Sequence, residues 1–350
     1  MMEFVPDQMD PRELHENALV IDSHNDTIVA HIRRGNLSLE RGREDSSKRR
    51  SGTIGFLRGH EEPREGADYI QIDFPKMRKA GIDAAFFAVD VTTAFKNHLA
   101  YALDGFGYLL NDIEDSRSET VIVRNSDDIL ESKTRGKVAV ILAVEHADCT
   151  ERSLNILRML YELGVRSIGL THNVSSWAAD GCMDARDSVG LTRFGEDLVL
   201  EMNRLGMLVD LAHVSPSAFS SALEITSKPV IFSHGNARSL CSHPRNLSDD
   251  QLRSLADNHG VIGMSYVPSF IDVKNPSLER LLDHVDHVVA VAGIDIVGLG
   301  SDFDGGGTLL GDATEVPRIT EGLVQRGYSE GEVRKILGEN TLRVLKDTIG

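Results

Sequence analysis

The chain has 350 residues, of which 37 are Lys or Arg and 54 are Asp or Glu, so its formal net charge is −17. This negative charge would repel a phosphate backbone and disfavours nucleic acid as a partner. With 26% charged and 41% hydrophobic residues, the composition also excludes collagen-like, disordered and disulfide-rich proteins. The length fits either two ordinary domains or one large α/β barrel with insertions.

The N-terminal residues and the cysteines predict a cytoplasmic protein without a membrane partner. Residues 1–20 contain acids and prolines where a signal peptide has a basic start and a continuous apolar stretch. No run approaches the roughly 18 apolar residues that a membrane span requires. Cys149, Cys182 and Cys241 are an odd number without CxxC spacing, so we interpret them as free thiols.

Short apolar runs recur along the chain, and each is followed by a stretch with helical periodicity. Unbroken runs of this length are typical of strands buried on both faces, as in a parallel sheet. Eight such βα units predict an α/β protein with a single (β/α)8 TIM barrel over residues 1–350, rather than an open sheet. The predicted strands are 18–22, 84–89, 138–144, 167–170, 208–211, 230–232, 261–265 and 296–299.

Two stretches depart from this repeat. Residues 36–67 are polar and contain glycines, which predicts an insertion after the first strand. We interpret its charged part, residues 41–50, as a solvated loop, with a substrate lid as the alternative. Residues 329–347 predict a C-terminal helical tail of two short helices, the first capped by Ser329 with Glu332 three positions later.

Ionisable residues stand at the carboxyl ends of six of the predicted strands. A single histidine or acid at a strand end is usually a hydrogen-bonded structural residue, but chance would scatter such residues over helices and both strand ends. Barrel enzymes keep their chemistry at the carboxyl face, so together these residues predict one site. They are His24, Asp26, Glu145, His172, His213, His234, Asp302 and Asp304.

The donor types at these strand ends favour a metal centre. Imidazole and carboxylate groups without thiolates suit zinc or another borderline divalent ion. One catalytic zinc ion uses about three protein ligands, whereas at least five groups converge here, so we expect two ions. Glu145 is the natural bridging carboxylate, and a single-metal site with Glu145 as proton acceptor is the alternative. We assign no role to His15, His31, His60, His98, His243, His259, His284 and His287.

A set of motifs occurs in a fixed order from about residue 20 to residue 345. They are SHNDT, QIDFPKMRKAGIDAAFFAV, the strand ending in Glu145, LTHN followed by WAADG, LVDLAHVS, SHGNARSLCSHPRN, GLGSDFDG and GENTLRV. Each motif alone is weak, but the ordered set resembles the membrane dipeptidase (renal dipeptidase) family of zinc peptidases. The resemblance implies a barrel of the metal-dependent amidohydrolase type. The absence of a signal peptide and of an apolar C-terminal tail resembles the soluble microbial branch of that family.

The resemblance also implies the ligands of two Zn²⁺ ions. His24 and Asp26 would bind the first ion, and Glu145 would bridge both ions. His213 and His234 would complete the second site.

Three further residues would act on the substrate by the same resemblance. His172 would contact the scissile carbonyl, Arg245 would hold the substrate carboxylate, and Asp302 would handle the proton. Asp304 is the alternative acid, since strand alternation places it on the same face as Asp302. A surface ion pair is the alternative for Arg245. Many members have glycine after the bridging glutamate, so His146 would either crowd the site or add a ligand.

The function predicted from the resemblance is a dizinc dipeptidase. It would hydrolyse short dipeptides with a free C-terminal carboxylate, L,D-dipeptides among them, by attack of a hydroxide held between the two ions. The alternatives are another metal-dependent hydrolase of this barrel group, acting on a cyclic amide, lactone or phosphotriester, and a non-catalytic binding barrel. A dipeptide substrate is the expected partner, and a homodimer the expected assembly.

Overall fold

The computed structural model describes residues 10–33, 39–40, 70–93, 97–116, 118–184 and 189–350. Nine parallel strands form one sheet in this part of the chain. The strands are β1 (Ile21–Asn25), β2 (Ala84–Asp90), β3 (Thr120–Ile122), β4 (Val138–Glu145), β5 (Val165–Gly169), β6 (Leu208–Asp210), β7 (Ile231–Gly235), β8 (Val261–Met264) and β9 (Val297–Leu299).

Helices separate most of these strands, and none of the described helices is both long and apolar enough to cross a bilayer. A π-helical turn, Lys335–Glu339, joins the last two helices. The α-helices are α1 (Pro11–Asn17), α2 (Thr27–Arg33), α3 (Phe74–Ala80), α4 (His98–Asp115), α5 (Ser126–Thr134), α6 (Leu154–Leu163), α7 (Arg193–Leu205), α8 (Pro216–Ile225), α9 (Asp249–Asp257), α10 (Pro268–Ile271), α11 (Leu278–Ala292), α12 (Pro317–Gln325), α13 (Glu330–Arg334) and α14 (Asn340–Ile349).

Eight of the strands close into a barrel. The order is β1-β2-β4-β5-β6-β7-β8-β9, and β9 returns to β1 through the pair Leu299 and Asp22. The longest ladder joins β2 to β4 over seven pairs and ends with Asp90 opposite Glu145. The short β3 pairs only with the first three residues of β4. The predicted (β/α)8 TIM barrel is therefore confirmed.

Each predicted strand corresponds to a barrel strand, but some ends differ. β1 begins at Ile21 rather than at residue 18, because Ala18 is the C-cap of α1. Residues 18–20 are apolar because they are buried between that helix and the barrel. The hydrophobic pattern does not indicate β3, which is only three residues long.

Successive side chains of β2 belong alternately to two different buried clusters. Ala84, Phe86 and Ala88 belong to one buried cluster, and the intervening residues of β2 pack in the other cluster with the helices. The first cluster also contains Val344 and Leu345 of α14, a helix that contacts β1, β6, β8 and β9. Burying each such aliphatic side chain contributes about 1.5–3 kcal/mol. The interior is thus filled by apolar side chains, and ionisable groups collect at the carboxyl ends of the strands.

The structure describes the predicted C-terminal tail but only two residues of the predicted insertion. Ser329 and Glu332 form a reciprocal capping box at the start of α13, with Glu332 Oε2 accepting from the Ser329 amide at 2.8 Å. Of the expected insertion at 36–67, residues 39–40 form a turn, and the remaining residues lie outside the described part of the chain.

Candidate metal centre

The carboxyl ends of the strands bring most of the ionisable residues predicted from the sequence to one cleft of about 130 Å³. Six of the eight line it, His24 lies beside it with its Nε2 4.0 Å from Glu145 Oε1, and Asp304 lies apart from it. His24 and Glu145 stand near the ends of β1 and β4, and His234 lies within β7. The remaining residues follow β1, β5, β6 and β9 by one to three positions, and they are Asp26, His172, His213 and Asp302.

Glu145 lies at the centre of this cluster, and its side chain is only 3% exposed. Its Oε1 is 2.8 Å from His213 Nε2, 3.6 Å from His234 Nε2 and 4.0 Å from His24 Nε2. Its Oε2 is 3.9 Å from His172 Nε2. A single carboxylate therefore faces four imidazole rings from the surrounding strands.

Glu145 belongs to three groups of three possible ligands, and two of these groups consist of residues that the sequence predicts as ligands. The first group is His24, Asp26 and Glu145, and the second is Glu145, His213 and His234. Within each group the ligand atoms lie within 4.8 Å of one another. Three protein ligands are the usual number for a catalytic zinc ion.

Several polar atoms in this cluster are buried without a hydrogen bond from the described residues. They are His24 Nε2, Asp26 Oδ1 and both carboxylate oxygens of Glu145. In addition, the Nε2 atoms of His213 and His234 face each other at 2.9 Å. An unsatisfied buried polar atom costs about 1–3 kcal/mol. Nitrogen and oxygen donors that converge in this way, without partners of their own, fit a bound divalent cation.

Hydrogen bonds behind His234 direct its free nitrogen toward the cleft. His234 Nδ1 lies 2.9 Å from Ser233 Oγ, and Ser233 Oγ donates to Asp210 Oδ2 at 2.5 Å. Asp210 Oδ1 accepts from the amides of Ser233 and Ala212, so the carboxylate is itself held in place. Because Ser233 gives its proton to Asp210, it accepts from His234 Nδ1–H, which leaves a lone pair on Nε2.

The protonation of the metal-free cluster follows from its burial. Burial lowers the pKa of His213 and His234 well below the usual imidazole value, so both rings are neutral. Burial also acts against the protonation of His24, but Asp26 and Glu145 outweigh it and raise its pKa to about 10. Burial raises the pKa of Glu145 well above its usual value. A bound cation would take the place of these protons.

Asp302 and Asp304 have separate surroundings. β9 ends at Leu299, and both aspartates have left-handed backbones, with φ of 59° and 64°, so strand alternation does not apply to them. Asp302 lines the cleft and forms a third possible ligand group with His24 and His234. Asp304 instead accepts hydrogen bonds from the Gln71 amide at 2.9 Å and from Thr27 Oγ1 at 2.8 Å. The cleft thus contains Asp302, the acid preferred from the sequence.

Arg245 supplies a buried cation at the edge of the same cleft. The side chain is 3% exposed, and its Nη2 donates to the carbonyl of His234 at 3.1 Å. Its Nε and Nη1 have no hydrogen-bond partner among the described residues. The guanidinium lies 5.4 Å from the centre of the Phe270 ring. This burial excludes the alternative of a surface ion pair.

Comparison with known proteins agrees with this geometry. The family model for membrane dipeptidases, peptidase family M19, matches residues 9–349. The chain belongs to the membrane dipeptidase family. A crystal structure of a dipeptidase AC, a metallopeptidase of family M19, has 26% identity and a TM-score of 0.81, over 95% of this chain and 99% of that one.

Two further structures are similar to this membrane dipeptidase family member. A metallopeptidase from Rhodobacter sphaeroides, bound to a phosphinate mimic of L-Ala-D-Ala, has 25% identity and a TM-score of 0.81, covering 95% of this chain and 99% of that one. An amidohydrolase from Pseudomonas aeruginosa has 26% identity and a TM-score of 0.77, covering 98% and 100%. Family and fold together support a metal-dependent dipeptidase.

His146 does not belong to the possible metal ligands of this membrane dipeptidase family member. Its backbone is left-handed, with φ of 81°, and its Nδ1 accepts from the Asp148 amide at 3.4 Å. Among the described residues, none of the groups of possible ligands includes His146.

Asp90 is a residue of the cluster that we did not identify from the sequence. Its Oδ2 lies 3.9 Å from His172 Nε2, and it forms a further group of possible ligands with His172 and Glu145. The sequence signal was present, because Asp90 follows the apolar run AAFFAV just as Glu145 follows VILAV. Both acids are the last residues of paired strands.

Proposed function

We propose that this chain is a dizinc dipeptidase that hydrolyses short dipeptides with a free C-terminal carboxylate, L,D-dipeptides among them. The observation that carries the proposal is the pair of three-residue ligand groups that share Glu145, with the unpartnered donors of Arg245 beside them. The similarity to a relative that binds a mimic of L-Ala-D-Ala supports the inclusion of L,D-dipeptides.

In this proposal His24 and Asp26 would hold one ion, His213 and His234 would hold the other, and Glu145 would be a ligand of both. Imidazole and carboxylate ligands without thiolates suit zinc. Bound zinc would supply a Lewis acid for the scissile carbonyl and lower the pKa of water.

His172 is placed to stabilise the carbonyl oxygen as it gains negative charge. Its Nε2 faces the cleft, 3.9 Å from Glu145 Oε2, and burial lowers the pKa of its ring. A neutral imidazole can donate one N–H to that oxygen without bringing a second full charge. A single such donor is worth about 10²–10³ in kcat.

Asp302 is placed to move the proton. It lies in the cleft, and burial raises its pKa to about 7 in the metal-free protein. Bound cations would lower that value and favour the carboxylate. Asp302 can then take a proton from the attacking water and deliver it to the departing amine, so that one group acts as base and then as acid.

Arg245 is placed to select the free carboxylate. Its Nε and Nη1 lack hydrogen-bond partners among the described residues, and Nη2 has a second N–H besides the one that it donates to His234. Either Nε or Nη1, together with Nη2, can therefore donate to the two oxygens of one carboxylate. This fork would restrict the enzyme to substrates whose C-terminus lies one residue beyond the scissile bond.

The test combines metal analysis with a panel of dipeptides and their C-terminal amides. Zinc-loaded protein should contain two ions per chain and hydrolyse L,L- and L,D-dipeptides. Arg245→Ala should raise KM about 10–100-fold for free dipeptides, the value of a hydrogen bond to a charged group, and change it little for the amides. Arg253→Ala, on the exposed face of α9, is the matched control.

Three results would contradict the proposal. They are one tightly bound ion per chain, hydrolysis of lactones or cyclic amides without hydrolysis of dipeptides, and the same rise in KM for free and amidated substrates in Arg245→Ala.

A further inference from the structure

We propose that Val267 and Phe270 form the subsite for the C-terminal side chain of the substrate and restrict that side chain to a small, uncharged one. The preferred substrates are therefore dipeptides that end in glycine or alanine. This inference rests on the dipeptidase function proposed above and on the role of Arg245 in it. It assigns a role to the apolar wall of the cleft, which the metal centre and the proton transfer do not use.

Arg245 determines where the C-terminal residue of the substrate lies. The α-carbon of that residue is bonded directly to the terminal carboxylate, so its side chain stays close to the guanidinium that binds the carboxylate. The Phe270 ring is centred 5.4 Å from the Arg245 Cζ atom. Among the described residues that line the cleft, Val267 and Phe270 are the two with apolar side chains. A substrate side chain beside Arg245 would therefore contact them.

Ring contacts and hydrogen bonds hold Phe270 in place. Its ring centre lies 4.6 Å from that of His243, and only 8% of the residue is exposed. Asn246 Nδ2 donates to the Phe270 carbonyl at 2.8 Å and to the Cys241 carbonyl at 2.9 Å, which fastens Phe270 to the loop that carries Arg245. A ring packed in this way cannot move aside for a large substrate group without losing contacts. The subsite is therefore rigid.

The space beside Val267 is narrow. A Cβ atom at Gly306, which also lines the cleft, would lie 3.5 Å from Val267 Cγ2, in ordinary van der Waals contact. One methyl group therefore fits between these two residues, and a longer chain has no further room in that direction. The cleft of about 130 Å³ is smaller than an apolar cavity of roughly 150 Å³ that holds one benzene molecule. The substrate backbone occupies much of this volume, so the side chain must be small.

A charged side chain would have no partner in this subsite among the described residues. The ionisable residues that line the cleft all have roles in the proposed function, as metal ligands, as donors to the carbonyl and the carboxylate, or as the proton carrier. The uncharged lining residues are Asn173, Val267, Phe270, Gly305 and Gly306. An acidic side chain would compete with the terminal carboxylate for Arg245, and a basic one would be repelled by it. A buried charge without a partner is strongly disfavoured.

The test measures kcat/KM of the zinc-loaded protein for dipeptides Ala-X, in which X is Gly, Ala, Leu, Lys or Asp. We expect similar values for Ala-Gly and Ala-Ala. The value for Ala-Leu should be about 10–200-fold lower, the range over which a hydrophobic pocket discriminates by size. Ala-Lys and Ala-Asp should show a fall of that size or more, because each would bury an unpaired charge.

Two substitutions of Val267 should shift the size limit in opposite directions. Val267→Ala widens the subsite and should raise kcat/KM for Ala-Leu about tenfold relative to Ala-Ala, whereas Val267→Leu narrows it and should lower Ala-Ala relative to Ala-Gly by a similar factor. Val267 is substituted rather than Phe270 because Phe270 also contacts Arg245. Either variant alone tests the limit if the other is recovered unfolded.

Two controls separate the C-terminal side chain from a general effect. The ratio of Leu-Ala to Ala-Ala, which differ at the N-terminal residue, should be the same in the wild type and in both Val267 variants. Val273→Ala is the matched control, because this valine follows α10 and is 79% exposed. It should leave every ratio unchanged.

The outcomes are distinguishable. A zinc-loaded wild type that hydrolyses none of the dipeptides overturns the proposed function and this inference with it. If the wild type hydrolyses Ala-Ala, three results overturn only the inference. The first is an equal kcat/KM for Ala-Leu and Ala-Ala in the wild type, and the second is a set of ratios that neither Val267 variant changes. The third is a shift of the Leu-Ala ratio as large as that of Ala-Leu, which would place Val267 beside the N-terminal residue.

Discussion

Buried histidines occur both in the outer layer of this barrel and at its mouth, but their nitrogen atoms have different partners. In the outer layer, His15 lies 2.7 Å from Thr320 Oγ1 and 2.8 Å from the carbonyl of Ala80. His284 accepts from the Ala237 amide at 3.1 Å and donates to the carbonyl of Ile271 at 2.9 Å. At the mouth, His24 Nε2 has no hydrogen-bond partner among the described residues, and its nearest carboxylate oxygens, of Asp26 and Glu145, are 3.8 and 4.0 Å away.

Burial alone therefore does not distinguish a structural histidine from a functional one. His15 and His24 are both 3% exposed. What differs is whether both ring nitrogens are satisfied by the protein. Satisfied rings contribute to stability, whereas unsatisfied rings reduce it until a ligand binds.

The largest effect that tests this contrast is expected from Glu145→Gln. The amide is a weaker metal ligand than the carboxylate, so bound metal and dipeptide hydrolysis should both be lost. The stabilisation by added zinc, about 4 kcal/mol at a thousandfold excess over Kd, should disappear. In the metal-free protein the variant should be no less stable than the wild type, because burial disfavours the charged form of Glu145 and raises its pKa. Metal analysis and chemical denaturation with and without zinc measure both effects.

Glu201→Gln is the matched control in the outer layer. Glu201 is 8% exposed and accepts from Arg158 Nε at 2.6 Å and Arg204 Nε at 2.7 Å. Its substitution should destabilise the protein equally with and without zinc. If Glu145→Gln and Glu201→Gln destabilised the metal-free protein equally, the proposed difference between the barrel mouth and the outer layer would be wrong.

A smaller effect is expected from Ser233→Ala. The change removes the oxygen that holds His234 Nδ1 and leaves the metal ligands themselves intact. We expect zinc affinity to fall about 10–100-fold, as for other residues that orient a ligand. Competition with a chromophoric chelator measures the affinity, and Ser220→Ala, on exposed α8, is the control. An unchanged affinity would show that Ser233 does not position His234.

The smallest expected effect is a change with pH in the loss of stability that His15→Ala causes. At pH 7.5 we expect a loss of about 1–3 kcal/mol, because Thr320 and Ala80 lose a buried partner. Burial lowers the pKa of His15 in the folded protein, so the contribution of this residue is present above its unfolded pKa and is lost as the pH falls through the folded one. The difference between wild type and variant should therefore narrow at pH 5. Denaturation at both pH values measures it, and a widening difference would contradict the sign.

The barrel was predictable from the apolar runs of its strands, and most of the candidate site was predictable from the residues that follow those runs. Apolar runs indicate buried parallel strands, and residues after such runs must meet at one face. This reasoning places Glu145 and His234 correctly in the same cleft. It should also have identified Asp90, which we overlooked because no histidine accompanies it at the end of its strand.

Other features depend on the backbone conformation beyond the end of a strand and on contacts with residues that are distant in sequence. Asp302 and Asp304 differ because the backbone turns left-handed after Leu299, and Gln71 from a distant part of the chain binds only the second aspartate. Likewise, no local pattern tells that His15 is satisfied by Thr320, which lies 305 positions away. Partners so distant in sequence are set by packing, which the spacing of residues does not encode.

The seam between β1 and β9 determines when the site can form during synthesis. The Asp26 amide donates to the carbonyl of Phe303 at 2.9 Å, and the Asp302 amide donates to the carbonyl of His24 at 3.1 Å. The two sides of this seam are 276 positions apart along the chain, from 26 to 302. At roughly 5–20 residues per second, a ribosome needs about 15–55 s to make that interval. His24 and Asp26 therefore emerge early, and the wall of the barrel mouth beside them is complete only after the last strand has been made.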